Sequence, residues 1–179
     1  MFKRLFDIFM ALVLGILCLP LTLALALAVK LESTGPAVHP SLRVGKDGKL
    51  FHYFRLRTMA GDPPQKTAVG KIIGNLSLDE LAVFWNILTG DLSFVGPRPE
   101  IPEKVDLADP DWQIILTVRP GITGLGLLKY LDRYNQTEVP QRIKPDVYYA
   151  LNHSLWFDMK LLGKTFLLWL KMGHLKGKL

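Results

Sequence analysis

The chain begins with a long apolar run. After Lys3, Arg4 and Asp7, the 22 positions from Ile8 to Val29 carry no formal charge, and Lys30 closes the run. That length suffices to cross the hydrocarbon core of a bilayer. A cleaved signal peptide has a shorter apolar core ending in small residues, so the Lys30-Leu31-Glu32 flank predicts an anchor. Pro20, near the middle, removes one backbone donor and crowds the carbonyl of Ile16, which predicts a kink. Cations at both ends give a straight span no preferred orientation. Two helical halves bent at Pro20 and returning to one face would keep Lys3, Arg4 and Lys30 together. A kinked transmembrane helix is the alternative, since lipid-embedded helices tolerate proline.

Beyond Gly35-Pro36 the pattern becomes that of a small α+β domain. Asp47-Gly48 is a turn signal. Leu50 to Met59 then predicts a strand with Phe51, Tyr53, Arg55 and Arg57 on one face and His52, Phe54 and Leu56 on the other. Residues 60–66, with Gly61-Asp62-Pro63-Pro64, predict the loop most prone to move. Val69 to Leu76 has no clear period. Ser77-Leu78-Asp79-Glu80 has the form of a capping box, predicting a helix from Leu78 to Thr89. Two stiff turns follow. Prolines bracket Arg98 in Asp91–Glu100, and Arg119-Pro120-Gly121-Ile122-Thr123-Gly124 holds a second arginine; between them Trp112 to Val118 is a short apolar element.

The last element, Ser154 to Met172, is mostly Leu, Phe, Trp and Met, and Lys160, Lys164 and Lys171 fall within about 40° on a wheel of about 100° per residue. Such a helix either lies in the headgroup layer with its basic stripe toward anionic lipid or packs as a core helix with one solvated face.

Composition narrows the class. The 179 residues are 49% hydrophobic and 21% charged, with 12 prolines, which suits one globular domain with a membrane attachment better than a multi-span transporter. A net charge of +6 implies an anionic partner: nucleic acid, acidic lipid or a phosphorylated substrate. Cys18 is the only cysteine, so no intrachain disulfide forms. His39, His52, His153 and His174 show no metal-ligand spacing.

Asp79 and Glu80 are the first candidates for chemistry. A carboxylate at a helix N-terminus stays ionised beside backbone amides that also receive phosphate, and with a divalent cation it becomes a plausible phosphoryl acceptor. The competing reading assigns Glu80 to the cap and Asp79 to the helix dipole. Arg55, Arg57, Arg98 and Arg119 supply guanidinium forks suited to phosphate. No Walker A loop, Gly-x-Gly-x-x-Gly or Gly-x-Ser-x-Gly occurs, which argues against P-loop, Rossmann and hydrolase-elbow chemistry.

Taken in order, KRLFD, the proline in the apolar run, RVGKDGKLF, FRLRTM, SLDEL, GDLSFVGPRPE, VRPGITG and DVYY resemble the bacterial sugar transferase family, the small single-domain monotopic phosphoglycosyl transferases. The resemblance runs from Lys3 to the final helix. It implies an α+β protein with a re-entrant helix hairpin over 1–34, broken at Pro20, and a catalytic domain over 35–179. That domain would carry interfacial amphipathic helices at the cytoplasmic face of the bacterial inner membrane.

The resemblance further implies Asp79 as nucleophile and Mg²⁺ ligand, with Glu80 its partner. Arg55, Arg57, Gly96, Pro97, Arg98, Pro99, Arg119, Gly121 and Thr123 would bind substrate phosphate. Donor and acceptor would be a nucleoside diphosphate sugar, UDP-sugar first among them, and polyprenyl phosphate. Membrane lipids are further expected partners and nucleic acid is not, while the sequence leaves open whether the chain forms a homo-oligomer.

The chain departs from the family pattern at Leu19, where small members often have serine before the proline. It departs also at Gly74-Asn75, where many carry arginine, and at Ser41, where glutamine is frequent. A catalytically silent scaffold binding polyprenyl phosphate or a partner enzyme is the rival reading, and the intact Asp79, Glu80 and Arg98 argue against it.

Overall fold

The computed structural model describes residues 2–176, without the side chains of Asp132 and residues 172–176, so the side chain of His174 lies outside the described residues. The chain forms two compact units. One holds the residues up to Leu5, Leu42–Phe51 and the residues from Gly90 on; the other holds Phe6–Ser41 and His52–Thr89.

Helix α1 is a single element, Phe2–Glu32, with Pro20 inside it. Among the described residues it is the one helix long and apolar enough to cross a membrane. The predicted division at Pro20 into two separate helices is not seen. The local chemistry there still favours bending. Pro20 leaves a carbonyl without its usual donor, and two residues later the Thr22 hydroxyl donates to the Cys18 carbonyl at 2.8 Å, a back-bond that tends to curve helices.

In the second unit the end of α1 anchors everything else. Val29 packs with Leu56 of strand β2 (Leu50–Leu56) and Ile73 of helix α2 (Ala68–Asn75), supported by Leu25, Ala26 and Val69. The Glu32 carboxylate accepts from the amides of Ala68 at 2.6 Å and Val69 at 3.1 Å, and the Thr67 hydroxyl accepts from Gly70. The orphan donors of α2 are thereby satisfied, which explains why a stretch without clear period is helical.

Strand β1 (Val38–Val44) pairs with β2 across a turn in which Asp47 and Gly48 take positive φ values of 57° and 73°, as the Asp-Gly signal predicts. Strand β2 ends at Leu56, three residues short of the predicted end. Alternation fails within it as well, because Phe51, Tyr53 and Leu56 are buried and the side chain shifts face between Phe54 and Leu56. Residues 59–66 are no open loop. Met59–Ala60 (β3) and Gln65–Lys66 (β4) pair antiparallel, Met59 opposite Lys66, around a turn with a cis Asp62–Pro63 bond.

The predicted helix from Leu78 to Thr89 is divided. Leu78–Val83 is 3₁₀ and Phe84–Thr89 is α3. The capping box does not form, because Ser77 has φ 57° and its hydroxyl makes no cap bond.

In the first unit, β5 (Ser93–Val95) and β6 (Gly121–Thr123) pair parallel, with Ser93 opposite Gly121 and Val95 opposite Thr123. The two stiff turns of the sequence are therefore neighbours in one ladder. Helix α4 (Pro110–Ile115) is capped by Asp109, whose carboxylate accepts from Asp111 at 2.7 Å. Helices α5 (Leu125–Tyr130), α6 (Val139–Arg142), α7 (Lys144–Asn152) and α8 (Leu155–Lys176) complete the unit. Trp112, Ile115 and Ile143 form one of its apolar clusters. Among the described residues of α8 only Asp158 and Leu161 are buried, whereas Trp156 (71%), Phe166 (59%) and Trp169 (55%) are exposed. That distribution excludes the core-helix reading.

Candidate active site

Asp79 sits in the first turn of the 3₁₀ element, its side chain only 13% exposed, with one carboxylate oxygen 3.9 Å from Nη1 of Arg55. Glu80, next in sequence, accepts from the Tyr53 hydroxyl at 3.4 Å, and the Arg55 guanidinium lies over the Tyr53 ring at 5.6 Å. Strand β2 and the 3₁₀ turn thus bring both carboxylates, one arginine and one phenol together. The device that fixes turn to strand is Asn86, fully buried in α3. Its amide donates to the His52 carbonyl at 2.7 Å and its oxygen accepts from the Phe54 amide at 3.0 Å, imitating a neighbouring strand. Sequence reasoning missed Asn86; a lone Asn inside an apolar helix run was the available signal.

Burial pushes the Asp79 carboxyl above its ordinary range, and the charges of Arg55 and Lys66 oppose that shift. This reverses the expectation that a helix dipole keeps the group fully ionised: six residues of 3₁₀ structure supply little dipole, and desolvation wins.

Arg57 does not join this group. It donates to the carbonyls of Ser33 (2.8 Å), Val29 (3.4 Å) and Thr34 and to the Ser33 hydroxyl, closing the C-terminus of α1. The predicted shared face of Arg55 and Arg57 fails because β2 stops between them.

The other predicted residues lie in the first unit. Gly96 and Gly121 are required by close approach: a Cβ on either would overlap the backbone of the opposite segment. Their amides donate to the carbonyls of Thr123 and Pro97, both at 2.9 Å, and Thr123 bonds through its hydroxyl to Thr165 at 2.7 Å. Gly96, Gly121 and Thr123 therefore build the ladder, with their donors already engaged, and Pro97 and Pro99 fix the backbone on either side of Arg98.

The Arg98 guanidinium rests 5.4 Å over the Tyr134 ring, and Arg142 approaches the same ring at 4.9 Å. Arg142 pairs with buried Glu100 at 2.7 Å, and the Tyr134 hydroxyl donates to Glu100 at 3.3 Å. Burial, then the charges of Asp146 and Glu100, drive the Tyr134 phenol strongly upward, so it remains a donor. Arg119 donates through Nε to the Gly90 carbonyl at 2.8 Å and lines a pocket of about 330 Å³ with Lys46 and Lys49.

Two motifs resolve into one knot. Lys3 donates to the Val95 carbonyl (2.9 Å) and to Asp158 (2.6 Å), and the single hydroxyl proton of Tyr149 goes to the same carboxylate (2.6 Å), with the Val95 carbonyl 3.1 Å away. It holds the end of β5 immediately before the Arg98 turn. Asp146, also buried, accepts from the Gly126 amide at 2.9 Å, and burial raises its carboxyl to about 7.

A family model described as bacterial sugar transferase matches residues 1–172. The chain belongs to that family. It is 37% identical over 178 residues to an Aeromonas hydrophila UDP-N-acetylgalactosamine-undecaprenyl-phosphate N-acetylgalactosaminephosphotransferase, covering 91% of this chain and 42% of the relative. It is 38% identical over 181 residues to a Caulobacter vibrioides UDP-glucose:undecaprenyl-phosphate glucose-1-phosphate transferase, covering 91% and 67%. A Salmonella typhimurium undecaprenyl-phosphate galactose phosphotransferase is 34% identical over 190 residues, covering 91% and 39%. The chain thus spans about two fifths of the first and third of these sugar transferases and two thirds of the second.

No cluster of three or more metal-ligating side chains occurs among the described residues. The donors at Asp79 and Glu80 still fit Mg²⁺, which is usually held by one or two carboxylates, waters and substrate phosphates and not by an all-protein cage.

Proposed function

We propose that this protein moves a sugar phosphate from a nucleoside diphosphate sugar, a UDP-sugar in particular, to polyprenyl phosphate, at the cytoplasmic face of a bacterial inner membrane. The observation that carries the reading is Asp79: a carboxylate largely removed from water, in the first turn of a 3₁₀ element, beside Arg55 and Glu80. Relatives named for UDP-sugars and undecaprenyl phosphate support the two substrate classes.

In the first half-reaction an Asp79 oxygen attacks the phosphorus that bears the sugar. The bond from that phosphorus to the bridging oxygen breaks, and nucleoside monophosphate leaves with the electron pair. In the second, a phosphate oxygen of the polyprenyl acceptor attacks the same phosphorus and Asp79 departs as carboxylate, yielding polyprenyl diphosphate sugar. Arg55 favours the ionised nucleophile, and Tyr53 holds Glu80 by hydrogen bond beside it. Arg98, stiffened by two prolines and supported on Tyr134, presents its fork to a phosphate group. Mg²⁺ held by Asp79 and Glu80 would offset repulsion between the attacking carboxylate and the diphosphate.

Membrane attachment in this reading is re-entrant, α1 bending at Pro20 with the Thr22 back-bond to the Cys18 carbonyl favouring the bend, so that Lys3, Arg4 and Lys30 stay on the cytoplasmic side. Helix α8 lies in the headgroup layer with its exposed tryptophans in the interface.

A panel of radiolabelled nucleotide sugars, each offered with undecaprenyl phosphate and scored for nucleoside monophosphate, tests the reading. One sugar should be turned over with lipid-linked product. Lipid binding without turnover of any sugar would favour a silent scaffold.

A further inference from the structure

One apolar concavity belongs to no motif. A groove of about 710 Å³ lies among α5, α7 and α8, lined by Leu125, Leu128, Leu161 and Leu168 and by four lysines: Lys129, Lys144, Lys164 and Lys171. Leu161 is fully buried and the other three leucines partly so, whereas all four lysines are exposed. The groove is therefore apolar inside with cations at its solvent edge. Lys144 is paired with Asp111 at 2.6 Å, and Lys129 lies over the Tyr130 ring at 5.6 Å. Lys164 and Lys171 make no ion pair among the described residues, and seven residues of helix separate them by about 10 Å.

We propose that this groove binds one anionic glycerophospholipid of the surrounding bilayer. The charge pattern selects the occupant. A monoester phosphate is typically gripped at one point by an arginine fork or by backbone amides, and the groove lining contains no arginine. Point charges spread along about 10 Å suit a phosphodiester headgroup and its glycerol, with the acyl chains against the leucines. Continuity with membrane supports this, since Leu167, which lines the groove, is 58% exposed beside Phe166 and Trp169. The site differs from a diffuse basic surface because Lys160, on the same helix, lies over the Trp156 ring at 5.4 Å and does not line the groove. The inference rests on membrane attachment but not on the transfer reaction.

The test uses the full chain in neutral detergent, with native mass spectrometry counting bound phosphatidylglycerol and, in parallel, phosphatidylcholine of the same acyl chains. One phosphatidylglycerol should be retained in preference to phosphatidylcholine. The Lys164→Gln/Lys171→Gln variant should bind it about 25-fold more weakly, at about fivefold for each basic residue lost near an anionic lipid. Lys160→Gln should bind as the parent does, and Lys164→Arg/Lys171→Arg should retain binding. All these positions are exposed, so melting temperatures should agree. Equal losses from Lys160→Gln and the groove pair would overturn the proposal, as would equal retention of both lipids or one-for-one displacement by polyprenyl phosphate. Pelleting with pure phosphatidylcholine vesicles reads membrane attachment separately: a chain that fails to pellet overturns both the membrane reading and the groove, whereas pelleting with equal retention of the two lipids overturns the groove alone.

Discussion

Replacing Arg142 by methionine should be among the most damaging single changes in the first unit, and the reason is electrostatic. Arg142 and Glu100 have side chains only 3% and 6% exposed and meet at 2.7 Å. Methionine fills much of the same volume but leaves the Glu100 carboxylate with the Tyr134 hydroxyl as its remaining side-chain partner among the described residues. Removing one member of a buried pair costs about 3–5 kcal/mol, because an uncompensated charge stays behind. For a chain of this size that corresponds to a fall of roughly 6–20 °C in melting temperature. Intrinsic tryptophan fluorescence, to which Trp112 in the cluster that contains Ile143 contributes, provides the assay in detergent. The double variant Arg142→Met/Glu100→Gln removes both charges and keeps an acceptor for Tyr134, so it should regain at least ~1 kcal/mol over Arg142→Met. The pair is not ideally satisfied, since the buried Nε of Arg142 has no partner among the described residues, and this favours recovery by a neutral pair. Additive losses in the double variant, or a single-variant loss below ~1 kcal/mol, would refute the reasoning.

Three further outcomes follow from the same structure. Asp146 keeps its proton to about pH 7 when folded, against an ordinary 3.8, so the folded state binds more protons between those values. Stability should therefore be greatest at the acid end and fall as pH rises from about 4 to about 7, and Asp146→Asn should flatten that limb in a melting-temperature series; an unchanged slope would contradict it. Arg55→Met removes the charge that opposes the upward shift of Asp79, so the acid limb of kcat/KM should move to higher pH, and an unmoved limb would place Arg55 outside the site. In a Cys18→Ser background, cysteines introduced at positions 2 and 34 should both react with a cytoplasmic-side reagent only, whereas labelling from opposite sides would establish a straight span.

Much of this was legible in the sequence because the signals were local. The apolar run with its proline, the Asp-Gly turn and the proline-bracketed arginine each act through the backbone of their own residues. What escaped was long-range. Ser77-x-x-Glu80 reads as a capping box, yet Ser77 adopts a left-handed conformation and Glu80 turns to Tyr53, a partner 27 residues away. Arg57 looked like a second phosphate ligand because strand alternation was extended past Leu56, whereas tertiary structure delivers it to the carbonyls at the end of α1. The resemblance implies that the glycines of the two stiff turns bind phosphate. Their need is mutual, since each makes room for the other in a two-stranded parallel ladder that no single-segment pattern reveals. Lys3, Tyr149 and Asp158 belong to segments more than 140 residues apart at the extremes, and only folding shows that they meet on one carbonyl.

The central claim is that Asp79 becomes covalently loaded. Single-turnover mass spectrometry with nucleotide sugar and no polyprenyl acceptor tests it most directly. The account predicts a sugar-phosphate adduct on the peptide containing Asp79, formed in step with nucleoside monophosphate release and absent in Asp79→Asn. An adduct on a different peptide, or full turnover in Asp79→Asn with strictly ternary kinetics, would contradict it.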